Sequence, residues 1–186
     1  MNKFISMLLA LVMVFGLTAC GGAAQPTEAP EVPAVSLEGT MDELLAKVIE
    51  QQPVEFMGGT IPVDLTDTSE DGLWAIKYYT GLDSAEGITE VGVYEPMMGS
   101  IAFSMVMVRA NDGMGTKTLA ETMKAGIDTR KWICVEADDL QVVGFGDVVM
   151  LIMVDSNTGM TAQSFVDAFQ KVCAAQVEGA ELEFTI

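Results

Sequence analysis

Four groups of residues have types and spacings that could do chemistry. Asp67-Thr68-Ser69-Glu70-Asp71-Gly72 matches the opening of a calcium-binding loop. The twelfth position of such a loop needs a bidentate Glu, and here it is Tyr78. The stretch therefore reads as a helix N-terminus with acids in its first turn. Asp138-Asp139 pairs two carboxylates, the raw material of general acid–base catalysis, but adjacent acids ahead of a strand suit a solvated turn. Met97-Met98, Met105, Met107, Met150 and Met153 are soft donors of the kind Cu(I) takes. Strand spacing assigns most of them to the core, and Met97-Met98 alone fall in a turn. Cys134 and Cys173 are thiols without a base: the chain has no histidine, which removes His-based triads and His metal ligands. No GxGxxG or P-loop is present. The expectation is a protein with no catalytic residues, no metal and no cofactor, hence not an enzyme.

The third cysteine is different. Lys3 precedes an apolar run from Phe4 to Leu17 that is too short for a comfortable membrane span and ends in small residues, as a secretory signal does. Leu17-Thr18-Ala19-Cys20 resembles the lipobox of bacterial lipoproteins. That resemblance implies cleavage before Cys20 and a diacylglycerol on its thiol. Residues 1–19 then form the lipoprotein signal peptide. Residues 20–39 form the lipidated Cys and a disordered linker stiffened by Pro26, Pro30 and Pro33. Residues 40–186 form a single α+β extracytoplasmic domain, large enough for a real core. The expected location is the cell membrane, lipid-anchored, on its extracytoplasmic face.

Charge limits the partners. The formal net charge is -18, from 9 basic and 27 acidic residues. Loss of Lys3 with the signal makes it one unit more negative. Scattered cations in such an excess of acids exclude nucleic acid and any electrostatic attachment to anionic headgroups. The lipid alone must hold the protein, and two acyl chains bind far better than one. Cys134 and Cys173 are open to two readings: a disulfide in an oxidising exterior, or two small buried apolar residues, which residue type favours.

The elements that position these residues follow from pattern. Thr40 with Glu43 makes a capping box for a helix over 41–52, stopped by Pro53. The segment 54–68 reads as irregular, with a short extended piece around 61–65. Ser69 caps a second helix that ends at Gly81. Strands are expected at 88–95, 101–109, 140–146 and 148–155, and helices at 116–127 and 161–176. Leu182, Phe184 and Ile186 alternate like a short edge strand. Met107–Met114 lines up with Met153–Met160, so that two strand-strand-helix units emerge, either a duplication or two turns with the same chemistry. The expected fold is α+β, with a four-stranded, mainly antiparallel sheet, an N-terminal helical segment and the two unit helices on one face. Both inner strands are apolar on both sides, so the other face needs cover from the N-terminal helices or from a partner.

Tyr78-Tyr79-Thr80-Gly81-Leu82-Asp83, then Val93-Tyr94-Glu95-Pro96-Met97-Met98 and a strand into Arg109-Ala110-Asn111-Asp112-Gly113 carry a further likeness. Together with the lipobox and spacer, they resemble the lipoproteins of clostridial-type Firmicutes grouped as domain of unknown function 4358. That family has no assigned activity, so the resemblance transfers no catalytic residue. The function expected is a non-catalytic binding or adaptor domain at the envelope. The alternatives are a solute-binding accessory lipoprotein of a transporter or an enzyme using carboxylates alone. Two loops break the polar surface: Met97 with Met98, and Phe56 with Met57. They form a candidate patch for another envelope protein.

Overall fold

The computed structural model describes residues 35–177 and Phe184. Four helices and five strands occupy them. α1 (Met41–Gln51) begins with the expected capping box: Thr40 accepts from the Glu43 backbone, and the Glu43 carboxylate accepts from the Thr40 N–H. Such a cap contributes about 1 kcal/mol. α1 buries Met41, Leu44, Leu45 and Val48 completely. β1 (Gly58–Thr60) follows. α2 (Glu70–Thr80) is capped by Ser69 and closed by Gly81 at φ 79°. β2 (Ile88–Pro96), β3 (Phe103–Ala110) and α3 (Thr116–Gly126) make one run. β4 (Asp139–Phe145), β5 (Val148–Val154) and α4 (Ala162–Ala174) make the next. The terminal edge strand expected around Leu182–Ile186 lies outside the described residues except for Phe184, whose ring sits 4.9 Å from that of Phe145.

The sheet is open and antiparallel throughout, in the order β1-β2-β3-β5-β4. It therefore has five strands where the sequence suggests four. The extra strand is Gly58-Gly59-Thr60, and it lies upstream of the extended piece expected around 61–65. No hydrophobic alternation marks it. It exists because the edge of β2 offers a free ladder: Gly58 pairs with Pro96 and Thr60 with Tyr94.

Helices cover both faces, two on each, and the two unit helices α3 and α4 lie on opposite faces instead of sharing one. α1 and α4 pack on the side of Phe103, Met105, Met107, Met150 and Ile152. α2 and α3 pack on the side of Val106, Val108, Val149, Leu151 and Met153. This satisfies the doubly apolar inner strands within the chain. Every residue of β5 is buried, and every residue of β3 except Arg109. Full burial of side chains of this size contributes about 1.5–3 kcal/mol each.

The two strand-strand-helix units face opposite ways. Met107 points to the α1/α4 layer, and its counterpart Met153 points to the α2/α3 layer. Leu119 lies in the α2/α3 layer and its counterpart Phe165 in the α1/α4 layer. Strand direction, lateral strand order and helix face are all reversed between the units. Reversing all three axes is an inversion, and no rotation of an L-peptide achieves it. The shared sequence therefore does not fold into two rotationally related copies.

Strand ends define two poles. The proximal pole holds the first described residues, 35–39. Arg109 donates to the Leu37 carbonyl at 3.0 Å and the Gly39 carbonyl at 2.7 Å, and pairs with Asp147. Asp147 also accepts from the Leu37 N–H and the Ser36 hydroxyl, while Glu90 accepts from the Met41 N–H. Gly146, at φ 59°, lets the β4–β5 turn pass so close to Val35 that a Cβ would stand 2.4 Å from its carbonyl oxygen. The distal pole holds the ends of β2 and β5, about 20–25 Å away along seven-residue strands.

Candidate functional site

The distal corner of the sheet collects the exposed methionines. β1 and β2 meet there, and the Met97 N–H donates to the Met57 carbonyl at 2.9 Å. Met57, Met97 and Met98 are 78%, 73% and 59% exposed. Phe56 turns inward instead, its ring 5.0 Å from that of Phe103 and nearly edge-on. Of the four residues of the candidate patch, three stand together in solvent and the fourth anchors their loop to the core. A 550 Å³ cleft opens beside them, with Phe56, Ile101 and Met160 on its walls and Glu55 and Thr158 at its rim.

β1 also leaves a free edge. The bonds Met97 N–H to Met57 and Ile61 N–H to Val93 put the odd-numbered residues of this stretch onto β2. Antiparallel alternation then turns the backbone N–H and C=O of Gly58 and Thr60 outward. Pro62 ends the donor row.

The backbone that displays the methionines is pinned by an ion pair that sequence pattern did not reveal. Glu95 sits on the α2/α3 side of β2, two residues before Met97. Lys131 reaches it at 2.5 Å from the connection between α3 and β4, with side-chain exposures of 2% and 9%. Lys131 also donates to the Ser104 hydroxyl at 3.1 Å. Its ammonium lies 4.6, 5.0 and 5.3 Å from the ring centres of Tyr78, Tyr79 and Trp132. Burial pushes the Lys131 ammonium below the ordinary lysine value, and the Glu95 carboxylate works against that shift. Burial also raises the phenols of Tyr78 and Tyr79, with the negative charge of Glu95 adding to it. α2 is brought to this loop by a close crossing: a Cβ on Gly126 would stand 2.0 Å from the Gly81 carbonyl oxygen.

Lysine beside serine is a known pairing for nucleophilic catalysis. Here Ser104 is 0% exposed and a substrate has no path to its hydroxyl. The cluster instead ties the connection 127–138 to β2 and β3. Tyr78-Tyr79 and Trp132 were its visible signs in the sequence. The pairing of Lys131 with Glu95 spans 36 positions and leaves no local pattern.

The remaining sequence candidates serve the backbone. Asp67 accepts from the Ser69 N–H at 2.9 Å, and its hydrogen bonds with Ser69 hold its carboxyl below the usual range. Asp138 accepts from the Ser156 N–H and hydroxyl, which lower its carboxyl likewise, and Asp139 accepts from the Ala162 N–H at the start of α4. Both acids of the pair thus cap helical turns. Cys134 and Cys173 are free thiols. Cys173 is fully buried, as its helix face predicts, and its thiol is pushed up to about 12 by burial. Cys134 is exposed, contrary to its reading as a buried residue, because it lies in the irregular connection beside the fully exposed Ile133. Cys20 and the signal segment lie outside the described residues. Among the described residues, no helix is long and apolar enough to cross a membrane, and no group of three or more Cys, Asp or Glu is placed to hold a metal. Comparison with known proteins gives no matching family model, no matching curated protein and no matching solved structure.

Proposed function

We propose that this chain is a bacterial lipoprotein, anchored through diacylglycerol on Cys20 to the extracytoplasmic face of the cell membrane, and that its domain is a non-catalytic adaptor. The resemblance to the clostridial-type lipoprotein family belongs to the same proposal. The observation that carries the adaptor reading is the exposure of Met57, Met97 and Met98 together at the pole opposite the linker. Three large flexible apolar side chains on a chain of net charge -18 lose free energy to water unless something covers them. The Arg109 tie fixes the linker at the far pole, so an anchored domain presents the methionines away from its tether.

The partner is an extended protein segment that adds a strand to the open edge of β1. Main-chain bonds to Gly58 and Thr60 supply affinity and the methionines supply side-chain contacts. A segment carrying Lys or Arg is favoured by the charge of the domain. A photo-crosslinking residue in place of Met97, expressed in the native host, tests this. It should give one discrete protein adduct, lost when Met57 and Met98 become Ser. The same residue in place of exposed Glu121 on α3 should give none. Equal adducts from both positions, or none from Met97, would contradict the proposal.

A further inference from the structure

A second surface lies on α2, away from the methionines. Trp74 is 60% exposed, although tryptophan carries the largest apolar surface of any side chain. Its indole stacks on Tyr78, one turn along the helix, with ring centres 4.7 Å apart and planes at 26°. Tyr78 is itself held in place. It meets Tyr79 edge-on at 4.9 Å, and the buried Lys131 ammonium lies 4.6 Å from its ring centre. Trp74 therefore rests on a clamped ring and keeps a flat face open to solvent. It forms one wall of a cleft of about 410 Å³, whose other walls include Lys77, Asp128 and Arg130.

Each cation of this cleft has its own carboxylate, and Asp128 adds one unpaired negative charge. Lys77 is 2.8 Å from Asp83, Arg130 is 3.1 Å from Glu136, and Lys131 is held by Glu95. With each cation balanced, no net positive field remains for a phosphate or carboxylate. A chain of net charge -18 repels polyanions at longer range. A cationic ligand brings only donors: it meets Asp128 but leaves the free donors of Lys77 and Arg130 unused. The polar groups still have hydrogen-bonding capacity. The Lys77 ammonium has three protons and uses two, on Asp83 and the Gly81 carbonyl. One Asp128 oxygen accepts from the Arg130 N–H, and the other has no partner among the described residues. The Arg130 side chain meets Glu136 as an ion pair through Nε, and its guanidinium donors make no hydrogen bond among the described residues. A purely aromatic guest would cover the indole but make no use of these groups.

A ligand with one apolar face and a belt of uncharged hydroxyls satisfies both requirements. We propose that the Trp74 cleft binds a neutral glycan, with a pyranose ring lying on the indole by its C–H face. Its hydroxyls donate to Asp128 and accept from Lys77 and Arg130. The rigidity of the Trp74–Tyr78 stack lowers the ordering cost that weakens such sites. The contacts lie wholly within this cleft, so loss of the anchor or of the methionine corner leaves them intact.

The chain has two tryptophans, so the Trp132→Phe variant makes Trp74 the sole indole reporter. The full-length protein carrying it, purified in a sugar-free detergent, is titrated with chitotriose, cellotriose and maltotriose. Inorganic phosphate and a neutral tyrosine-containing tripeptide serve as comparison ligands. At least one trisaccharide should shift Trp74 emission saturably, with a Kd of about 1 mM or tighter. Added salt should not weaken it. Calorimetry on otherwise unaltered protein should show Trp74→Ala and Asp128→Ala each weakening that sugar by about tenfold or more, with melting temperature retained. Saturation by none of the three sugars, binding of phosphate or tripeptide in their place, or sugar binding that survives Trp74→Ala would overturn the assignment.

Discussion

Replacing Lys131 with Met removes one half of a buried ion pair and keeps most of the side-chain volume. The Glu95 carboxylate, 9% exposed, then loses its counter-charge. Breaking one side of such a pair costs about 3–5 kcal/mol, because the remaining charge stays desolvated. The Ser104 hydroxyl loses its partner as well, and a buried unpaired hydroxyl costs about 1–3 kcal/mol. The two penalties overlap, since Glu95 and Ser104 share the same vacated space, and the expected loss is about 4–6 kcal/mol. Replacing Glu95 and Lys131 together by Met removes both charges and leaves only the Ser104 penalty, so the double variant should lose about 1–3 kcal/mol. The double variant is therefore more stable than the single one, an outcome that additive contacts do not give. Urea unfolding followed by far-UV circular dichroism, with the slope compared across variants, measures all of this. A Lys131→Met variant within about 1 kcal/mol of wild type, or a double variant that costs the sum of its singles, would refute the reasoning.

Three further outcomes follow from burial and exposure. Met97→Ser with Met98→Ser should change unfolding stability by no more than about 0.5 kcal/mol per site, since both side chains stand in solvent; a loss of several kcal/mol in urea titration would place them in the core. In the folded protein without reductant, Cys134 should alkylate readily and Cys173 only after denaturation, as read by mass spectrometry; equal labelling of the two would contradict their placement. The Cys173 thiol stays protonated in the fold up to about 12, whereas its unfolded value is 9.0, so the folded state binds the extra proton between them. Stability from this group is full below pH 9.0 and falls by up to about 1.4 kcal/mol per pH unit above it. Lys131, depressed in the fold, acts in the opposite sense as pH rises toward its unfolded value. Comparison with Cys173→Ala isolates the thiol: the variant should lose stability less steeply in alkali than wild type, and identical slopes would contradict the prediction.

The parts of the fold legible in the sequence are those set by neighbours in the chain. Thr40 and Glu43 cap α1 because a capping box needs only a three-residue reach. Ser69 and Gly81 bracket α2 for similar local reasons. The parts set by tertiary contact were not legible. Gly58-Gly59-Thr60 carries no strand pattern and becomes a strand only because β2 has a free edge. β5 is apolar on both sides, so its pattern could not say which helix lies over which face. Cys173 announced its burial through Phe165, Phe169 and Val172 at helical spacing, whereas Cys134 had no periodic neighbours to place it. The methionine pair stood out in a turn by residue type alone. Lys131 did not, since a lone lysine in an irregular segment looks like any solvated cation until Glu95 and two tyrosines are folded around it.

The mature N-terminus is where the account is tested most directly. Wild-type protein, recovered from the membrane fraction and digested, should yield an N-terminal peptide that begins at Cys20 and carries the mass of a diacylglyceryl group. Cys20→Ala should abolish that modification and leave the chain either unprocessed or released to the medium. A processed Cys20→Ala protein that still fractionates with membranes, or a wild-type mature chain that begins elsewhere without lipid, would contradict the anchor and the orientation built on it.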